Sequence, residues 1–333
     1  MAKRSGPKAE NRPIELPEFV RPMLARSTSE PFDSERHLFE IKWDGTRAVV
    51  LIDGRGMRLL NRRQADLRGR YPELEALRGL PGGTALDGEI VVLSGGKPSF
   101  ARLAQREHVS DPQRVALLSR RLPATLVVFD VLYADGQSVM ARPLSERKPL
   151  LAELVRGLGS PHVIACDHVA ERGRRYFEEV ARIGLEGVMA KRLDSAYQPG
   201  KRTDDWLKIK VARLAEFDVI GFTLQERTRD MVGALLLGEK QGRGWIFRGK
   251  VGTGFSERQR LDLYRELSGL PALAVPPPDG PRDGVWRRCG KRCRVRYFET
   301  TGHGMLRGPV FQGWTGDEND PRAERTLTRG PAE

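Results

Sequence analysis

Short apolar runs alternate with turn residues along residues 38–211. Runs of this kind, bounded by glycine, aspartate or serine, are typical of strands, and closely spaced pairs of them predict hairpins. One hairpin is predicted for residues 47–52 and 57–60 around Asp53-Gly54-Arg55-Gly56. A second is predicted where the strand over residues 86–93 runs into Ser94-Gly95-Gly96-Lys97.

A helical period replaces this alternation in residues 172–185. Tyr176, Phe177, Val180 and Ile183 recur there at mostly helical spacing, which predicts a surface helix leading into a strand over residues 187–192. Strands and helices in this mixture predict an α+β fold whose first domain is built on antiparallel sheets.

The pattern changes after Val211 to strands separated by glycine turns, followed by one helix that begins at a Ser256 cap and ends near Leu267. A small β-barrel is the predicted second domain. Its expected strands cover residues 217–223, 231–237, 245–250, 293–299 and 310–314, the last two after the proline-rich connection at residues 276–278.

Length and composition are compatible with this organisation. A chain of 333 residues is long enough for two domains with separate cores. The predicted segments are a basic disordered leader over residues 1–16, a first domain over 17–211, a barrel over 212–321 and a disordered tail over 322–333. The basic start has no apolar stretch behind it, so we expect neither secretion nor membrane insertion.

Charge and cysteine content narrow the function classes. The net charge of +13 favours a polyanionic partner such as nucleic acid, with a basic surface of no such role as the alternative. Cys166, Cys289 and Cys293 are an odd number without the further ligands that a zinc site requires, and are interpreted as reduced thiols of a cytoplasmic protein.

Lys42-Trp43-Asp44-Gly45 is the first motif with possible chemistry, because the lysine follows the predicted strand over residues 38–41 directly. One interpretation is a solvated lysine before an Asp-Gly turn. The other is a nucleophilic amine that attacks the α-phosphorus of a nucleotide, which requires a deprotonated amine and is helped by neighbouring cations.

Such cations are available in Trp206-Leu207-Lys208-Ile209-Lys210. On a strand with a period of two, Trp206, Lys208 and Lys210 share one face and Leu207 and Ile209 the other, so both ammonium groups are expected in one site. An amphipathic edge strand with solvated lysines is the alternative.

Two carboxylates, Glu89 and Glu186, lie in segments that are otherwise apolar. Carboxylates directed into a phosphate site need a counter-charge, for which Mg²⁺ is the usual ion, and Mn²⁺ is the alternative metal. The alternative is that Glu89 and Glu186 are surface carboxylates on the exposed face of a strand.

Taken in order, five motifs resemble the nucleotidyltransferase motifs of ATP-dependent DNA ligases: Lys42-Trp43-Asp44-Gly45, Asp87-Gly88-Glu89, Phe129-Asp130-Val131-Leu132, Glu186-Gly187-Val188-Met189-Ala190-Lys191 and Trp206-Leu207-Lys208-Ile209-Lys210. Four further segments resemble the ligase module of bacterial non-homologous end-joining proteins: residues 17–25, 197–202, 249–255 and 306–311. The resemblance extends from about residue 17 to residue 321.

The resemblance implies a nucleotidyltransferase (adenylation) domain followed by an oligonucleotide-binding (OB) barrel, with ATP and Mg²⁺ or Mn²⁺ as cofactors. It also implies roles for individual residues. Lys42 would carry AMP, Lys208 and Lys210 would bind the α-phosphate, and Glu186 would hold the metal, with Glu89 at the ribose or the metal. Nucleotide contacts would come from Ile41, Arg47, Arg62, Glu89, Phe129 and Arg202, with Phe129 stacked on adenine and the arginines at the ribose or the 5′-phosphate of the nick.

The resemblance also implies that the substrate is nicked or broken double-stranded DNA and that a Ku-like end-binding protein is a partner. The protein itself is expected to be a nucleoid-associated monomer without membrane contact. Alternatives are an RNA ligase or a capping-type nucleotidyltransferase, and, from a different class, a non-catalytic DNA-binding clamp. The labelled nucleotide that becomes attached to the protein distinguishes a capping-type enzyme from a ligase. Sealing of nicked DNA or of nicked RNA distinguishes the two kinds of ligase.

Two segments depart from the family pattern. Asn61-Arg62-Arg63-Gln64 keeps the arginine of the usual Ser-Arg-Asn-Gly but lacks its glycine, which leaves the local turn in question. Thr315-Gly316-Asp317-Glu318 replaces an Arg-x-Asp-Lys motif and lacks both cations. Cations there would orient the leaving pyrophosphate, so their loss is expected to slow adenylylation of the enzyme selectively.

Overall fold

The computed structural model describes residues 14–226, 228, 230–301 and 303–315. The chain divides into two compact units, residues 1–211 and 212–333. The division falls where the sequence changes from mixed α/β patterning to glycine-separated strands. None of the helices in the described part of the chain combines the length and apolar character that a membrane crossing requires.

The first unit contains twelve strands and four helices among its described residues. The strands are β1 (Leu24–Thr28), β2 (Ser34–Ile41), β3 (Thr46–Asp53), β4 (Gly56–Asn61), β5 (Thr84–Ser94), β6 (Lys97–Pro98), β7 (Ala124–Ala134), β8 (Gln137–Ser138), β9 (Val163–Ala165), β10 (His168–Glu171), β11 (Gly187–Arg192) and β12 (Arg202–Lys210). The helices are α1 (Phe100–Glu107), α2 (Pro112–Arg121), α3 (Leu144–Leu158) and α4 (Gly173–Arg182), with 3-10 turns at Arg68–Arg70 and Pro72–Gly79.

Two sheets organise this unit. One has the order β1-β12-β11-β2-β10, and the other has β4-β3-β5-β7-β8 with β6 beside β5 and β9 beside β7. The predicted hairpins are confirmed: β3 pairs with β4 from Ala48–Asn61 to Asp53–Gly56, and Leu93 pairs with Pro98. The sheets are built on antiparallel pairs as predicted, with two exceptions: β1 pairs with β12 and β7 with β9 in parallel.

The larger sheet is buried on both faces, which explains the continuous apolar run of β3. Ala48, Val50 and Ile52 pack with the 3-10 turns and α3, whereas Val49 and Leu51 pack toward the smaller sheet in a cluster that includes Trp206. A strand buried on both faces loses the polar alternation of a half-exposed strand. The space between the sheets is therefore apolar at its centre, and polar groups lie there only where they have partners.

The chain is ordered before residue 17, contrary to the predicted leader boundary. Leu16 is buried, and its N–H donates to Asp53 Oδ2 at 3.0 Å. Arg55 and Arg58 also pair with Asp53, at 2.9 and 2.6 Å. Residues 1–13 of the leader, and the tail from residue 322, lie outside the described residues.

The second unit has one five-stranded antiparallel sheet in the order β15-β14-β13-β16-β19, a two-stranded β17-β18 pair and one helix within its described residues. Its elements are β13 (Arg213–Leu224), β14 (Val232–Gln241), β15 (Gly244–Val251), α5 (Glu257–Ser268), β16 (Val285–Tyr297), β17 (Glu299–Thr300), β18 (Leu306–Arg307) and β19 (Val310–Trp314).

The helix α5 begins where the sequence predicts. The Ser256 hydroxyl accepts the Gln259 N–H at 3.2 Å, and the Gln259 side chain accepts the Ser256 N–H at 2.8 Å. This reciprocal pair satisfies two backbone donors that the first turn leaves open. Strand β16 begins earlier than predicted, at Val285, because its first residues pair with the end of β13.

Candidate active site

Lys42 follows β2 directly and is held in place by the neighbouring strand. Its N–H donates to the Gly187 carbonyl at 2.9 Å. Alternation along β2 directs Phe39 and Ile41 into the cluster beneath α4, so Lys42 extends from the opposite face. The Lys42 ammonium donates to Glu186 Oε2.

Glu186 is shared between two lysines, because its other oxygen pairs with Lys210 Nζ at 2.7 Å. Strand pairing explains the arrangement: Gly187 lies opposite Lys210, so the residue before it lies beside the end of β12. The structure thus brings together the predicted nucleophile, the predicted metal ligand and one of the predicted phosphate-binding lysines.

Lys208 belongs to the same group. Burial lowers its pKa first, and the positive charges of Arg202, Lys210 and Lys42 lower it further. The predicted division of β12 into two faces is confirmed, since Trp206 packs between the two sheets and Leu207 packs beneath α4. An array of cations of this density repels itself when empty and is stabilised by a polyphosphate.

Glu89 approaches the site from the larger sheet, where it pairs with Arg47 across β3 and β5. Burial raises the pKa of Glu89 to about 7, although Arg47 and Lys42 act in the opposite direction. Its carboxyl therefore exchanges a proton near neutral pH, which an ordinary surface glutamate does not do.

Arg47 is fixed by a carboxylate whose role the sequence did not suggest. Its Nε and Nη2 donate to the two oxygens of Asp87, each at 2.6 Å. Asp87 is fully buried, and the bond pattern is the bidentate fork that suits guanidinium and carboxylate. The only signal in the sequence was the position of Asp87 two residues before Glu89.

Phe129, the predicted adenine platform, is 8% exposed. Arg47 Cζ lies 4.5 Å and Lys191 Nζ 4.4 Å from the centre of its ring, and Trp206 meets the ring edge-on at 6.1 Å. Two cations therefore lie close to the ring that the resemblance assigns to adenine.

Below the ring lies a buried group of charges that sequence reasoning missed. Glu40 forms ion pairs with Lys148 at 2.7 Å and with Lys191 at 2.6 Å, and all three side chains are buried. Burial alone would raise the pKa of Glu40, but the two lysines hold it below its usual value. Lys148 comes from α3, more than a hundred residues away in sequence, so no local pattern could have predicted the contact.

Arg202 and Arg62 are the remaining predicted residues of the site. Arg202 is exposed and donates to the Ala25 carbonyl, and Arg62 is exposed and has no ion-pair partner within the described residues. The turn after Arg62 forms without the family's glycine, because Gln64 adopts a left-handed conformation with φ of 65°. Asn61 supports that turn by accepting the N–H groups of Arg63 and Ala65 at 2.9 and 3.0 Å.

A divalent cation would depend on the nucleotide for most of its ligands. Within the described residues, no group of three or more His, Cys, Asp or Glu side chains is arranged to hold a metal. Mg²⁺ is commonly bound through one or two carboxylates together with substrate phosphates. Glu186 and Glu89 fit that pattern, provided that a triphosphate is present.

The motif Thr315-Gly316-Asp317-Glu318 departs from the family pattern, and the structure describes only its first residue. The N–H and the hydroxyl of Thr315 both donate to the Arg292 carbonyl at 3.0 Å. Residues 316–318 lie outside the described residues. Three arginines were the candidates for a substitute charge: Arg307 pairs with Glu299, whereas Arg322 and Arg325 also lie outside the described residues.

Comparison with known proteins decides the family. The ATP dependent DNA ligase domain matches residues 22–210, and the ATP dependent DNA ligase C terminal region matches residues 228–318. This chain belongs to the ATP-dependent DNA ligase family. Its first unit is accordingly the adenylation domain of a ligase and its second unit the OB-fold domain, as the resemblance implied.

Among curated relatives of this ligase, the multifunctional non-homologous end joining protein LigD of Pseudomonas aeruginosa is 33% identical over 326 residues, which cover 94% of this chain and 37% of that protein. The SPbeta prophage-derived DNA ligase-like protein LigB of Bacillus subtilis is 35% identical over 305 residues, which cover 89% of this chain and 99% of that protein. The ligase therefore spans about 37–40% of the LigD proteins that it matches and nearly the whole of LigB.

Solved structures agree. The ligase domain of M. tuberculosis LigD matches with a TM-score of 0.54 and 31% identity over 93% of this chain and 99% of that one. A mycobacterial DNA ligase D complexed with ATP and MES matches with a TM-score of 0.53, 31% identity and the same coverage.

Proposed function

We propose that this DNA ligase seals 3′-OH/5′-phosphate nicks and breaks in double-stranded DNA during end joining, with Lys42 as the residue that carries AMP. The observation that supports the proposal is that Lys42 and Lys210 both pair with Glu186. The charges of these three residues act on Lys208, and the charge of Lys42 also acts on Glu89. Within this group Lys42 alone follows a strand end at which its backbone is anchored, and the other two lysines extend from the middle and end of β12.

In the first step the Lys42 amine would attack the α-phosphorus of ATP, forming a P–N bond while the bond to pyrophosphate breaks. Before it can attack, the amine must leave Glu186 and transfer a proton to solvent water. Lys208 and Lys210 would stabilise the negative charge of the transferred phosphoryl group, which persists throughout such reactions.

In the second step an oxygen of the DNA 5′-phosphate would attack the same phosphorus, so the P–N bond breaks and the lysine regains its proton. In the third step the 3′-hydroxyl would attack the 5′-phosphorus, lose its proton and release AMP. Pyrophosphate in the first step and AMP in the third are good leaving groups, and the protein contributes mainly positioning and charge.

Glu186 and Glu89 are the residues that would hold Mg²⁺ or Mn²⁺ together with the phosphates. When bound, such an ion would neutralise the triphosphate and assist departure of pyrophosphate. Release of Lys42 from Glu186 would free that carboxylate for this contact. Ile41, Arg47, Arg62, Phe129 and Arg202 remain the proposed nucleotide and nick contacts, with Phe129 as the adenine platform.

End joining is proposed because LigD proteins, named for non-homologous end joining, match nearly the whole of this chain. A Ku-like end-binding protein is the proposed partner and a nucleoid-associated monomer the proposed state. Joining of linear DNA by the ligase with and without a Ku-like protein tests the partner, and sedimentation of the free ligase tests the monomer.

The assignment of Lys42 is tested by substitution to alanine. Lys42→Ala should form no acid-labile adduct with α-labelled ATP and should seal no ordinary nick, while it remains folded. Lys97→Ala, at an exposed hairpin, is the matched control and should behave as wild type. Closure of a pre-adenylylated nick separates loading from sealing, and a covalent AMP adduct on Lys42→Ala would overturn the assignment.

A further inference from the structure

Apart from Arg202, two of the segments that resemble end-joining ligases, residues 17–25 and 197–202, have no role in the chemistry described so far. They lie against each other. Gly200 N–H donates to the Arg21 carbonyl at 3.0 Å, and Leu24 N–H donates to the Lys201 carbonyl at 2.8 Å. Their contact continues into the parallel pairing of β1 with β12.

Where the two segments meet, hydrogen bonds form a closed ring around Arg47. Met23 N–H donates to the Tyr197 hydroxyl at 2.9 Å, and that hydroxyl donates to Asp87 Oδ2 at 2.6 Å. Asp87 holds Arg47 through two bonds of 2.6 Å, and Arg47 Nη2 donates back to the Met23 carbonyl at 3.2 Å. The ring thus joins both segments to the guanidinium.

Each bond in the ring has one possible direction. A backbone N–H can only donate, so the Tyr197 oxygen accepts from Met23 and its proton is directed to Asp87. Burial raises the pKa of Tyr197 well above its usual range, and the neighbouring Asp87 raises it further, so the hydroxyl keeps that proton. Met23, Asp87 and Tyr197 are buried, where an unsatisfied polar group is costly.

The ring leaves one side of the guanidinium available. Of the five N–H donors of an arginine, those on Nε and Nη2 are engaged by Asp87 and Met23. Within the described residues the structure gives Nη1 no hydrogen-bond partner, and the Arg47 side chain is 22% exposed. Nη1 is therefore the atom that can reach an oxygen of the nucleotide or the nick.

We infer that Tyr197 is a positioning residue of this ligase: through Asp87 it fixes the plane of Arg47 so that Nη1 is presented to substrate. The segment around Met23 forms the other side of the same clamp. This inference depends on the proposed role of Arg47 as a substrate contact, and it gives the two unassigned segments a shared purpose.

A double-mutant cycle between Tyr197→Phe and Arg47→Ala tests the inference. Rates of enzyme adenylylation over a range of ATP concentrations, and rates of DNA adenylylation and closure of a pre-adenylylated nick, are measured in single turnovers. Arg47→Ala should slow at least one step by on the order of 100-fold. Tyr197→Phe should slow the same step by about 10-fold, and by less than about 2-fold when Arg47 is already alanine, because residues acting through one group are not additive.

Controls separate positioning from a loss of stability. Tyr71 is a buried tyrosine of the same domain whose hydroxyl has no hydrogen-bond partner in the described structure, so Tyr71→Phe should leave every rate unchanged. All rates are compared at a temperature at which circular dichroism shows each variant folded. If Tyr197→Phe is folded only at low temperature, Asp87→Asn is measured in the same cycle and should show the same dependence on Arg47.

The outcomes are distinguishable. If Arg47→Ala changes no step, the proposed role of Arg47 is wrong. If Arg47→Ala slows a step but Tyr197→Phe does not, or slows it equally in both backgrounds, Arg47 retains its role and the positioning by Tyr197 is overturned.

Discussion

At the scale of single residues, the pKa of Glu89 is raised to about 7, close to neutral pH. Burial is the main cause, so the protonated form is favoured in the folded state. In the unfolded chain the same carboxyl ionises near its ordinary pKa of 4.5. The folded state therefore binds more protons between these two values, and stability contributed by protonated Glu89 is lost as pH rises through about 7.

We expect Glu89→Gln to remove this pH-dependent loss. Relative to wild type, the free energy of unfolding of the variant should rise between pH 4.5 and pH 8 by on the order of 1–3 kcal/mol, because glutamine has no charge to desolvate. Urea unfolding at several pH values measures the difference. A difference that is the same at pH 4.5 and pH 8 would contradict the raised pKa.

Gln64 is a second residue whose effect can be predicted, because it holds a left-handed conformation that favours glycine. Gln64→Gly should stabilise the adenylation domain by roughly 0.5–1 kcal/mol, the lower backbone strain outweighing the added freedom of the unfolded chain. Thermal unfolding measures this, and nick sealing should stay unchanged. Gln64→Ala serves as control and should show no gain, since alanine keeps the Cβ.

At the scale of elements, sequence patterns correctly predicted the hairpins and helices that are formed by interactions between neighbouring residues. The hairpin of β3 and β4, the helix α4 leading into β11, and the capped helix α5 all depend on neighbours within a few residues, and the structure contains each of them. The motifs likewise placed Lys42, Glu186, Lys208 and Lys210 in one site.

Contacts between distant segments were not predictable in the same way. The parallel pairing of β1 with β12, the Glu40 group with Lys148, and the Tyr197–Asp87 bond each join residues about 110 or more apart. No periodicity records such a contact. Asp87 and Glu40 are charged residues within apolar runs, which indicates that each has a partner but does not identify it.

The contact between residues 249–255 and 306–311 in the OB-fold domain leads to a prediction at this scale. Gly254 has φ of 93°, and a Cβ there would lie 2.4 Å from the Phe311 carbonyl oxygen. The same contact carries the bond from Phe311 N–H to the Thr253 carbonyl at 3.0 Å and the stacking of Phe255 on Phe311 at 4.4 Å. The two segments thus pack against each other at Gly254, a position that accepts no side chain.

Gly254→Ala should therefore destabilise the OB-fold domain by at least about 2 kcal/mol, through left-handed strain and separation of the two segments. Gly269→Ala is the matched control: its φ is −80° and nothing lies within 4 Å of an added Cβ, so it should be nearly neutral. Urea unfolding followed by tryptophan fluorescence compares the two. Equal free energies of unfolding of the two variants would show that the contact adjusts to a Cβ without loss of stability.

At the scale of the whole molecule, we expect the net charge of +13 to dominate the binding of DNA by the ligase. We expect binding of a nicked duplex to weaken by at least about 10-fold between roughly 50 and 200 mM salt, because phosphate contacts release condensed counterions. Affinity should change little with the bases around the nick. Fluorescence anisotropy with duplexes of different sequence measures both, and binding that is flat with salt would contradict this electrostatic account.

The parallel pairing of β1 with β12 also sets an order of events during synthesis. Arg26 on β1 binds Asp204 on β12, 178 residues later in the chain. At about 5–20 residues per second, a ribosome needs roughly 10–35 s to supply that partner. During this time the nascent adenylation domain carries a strand without its neighbour, and the smaller sheet, with the lysine array that its last strand completes, can close only after Lys210 has emerged.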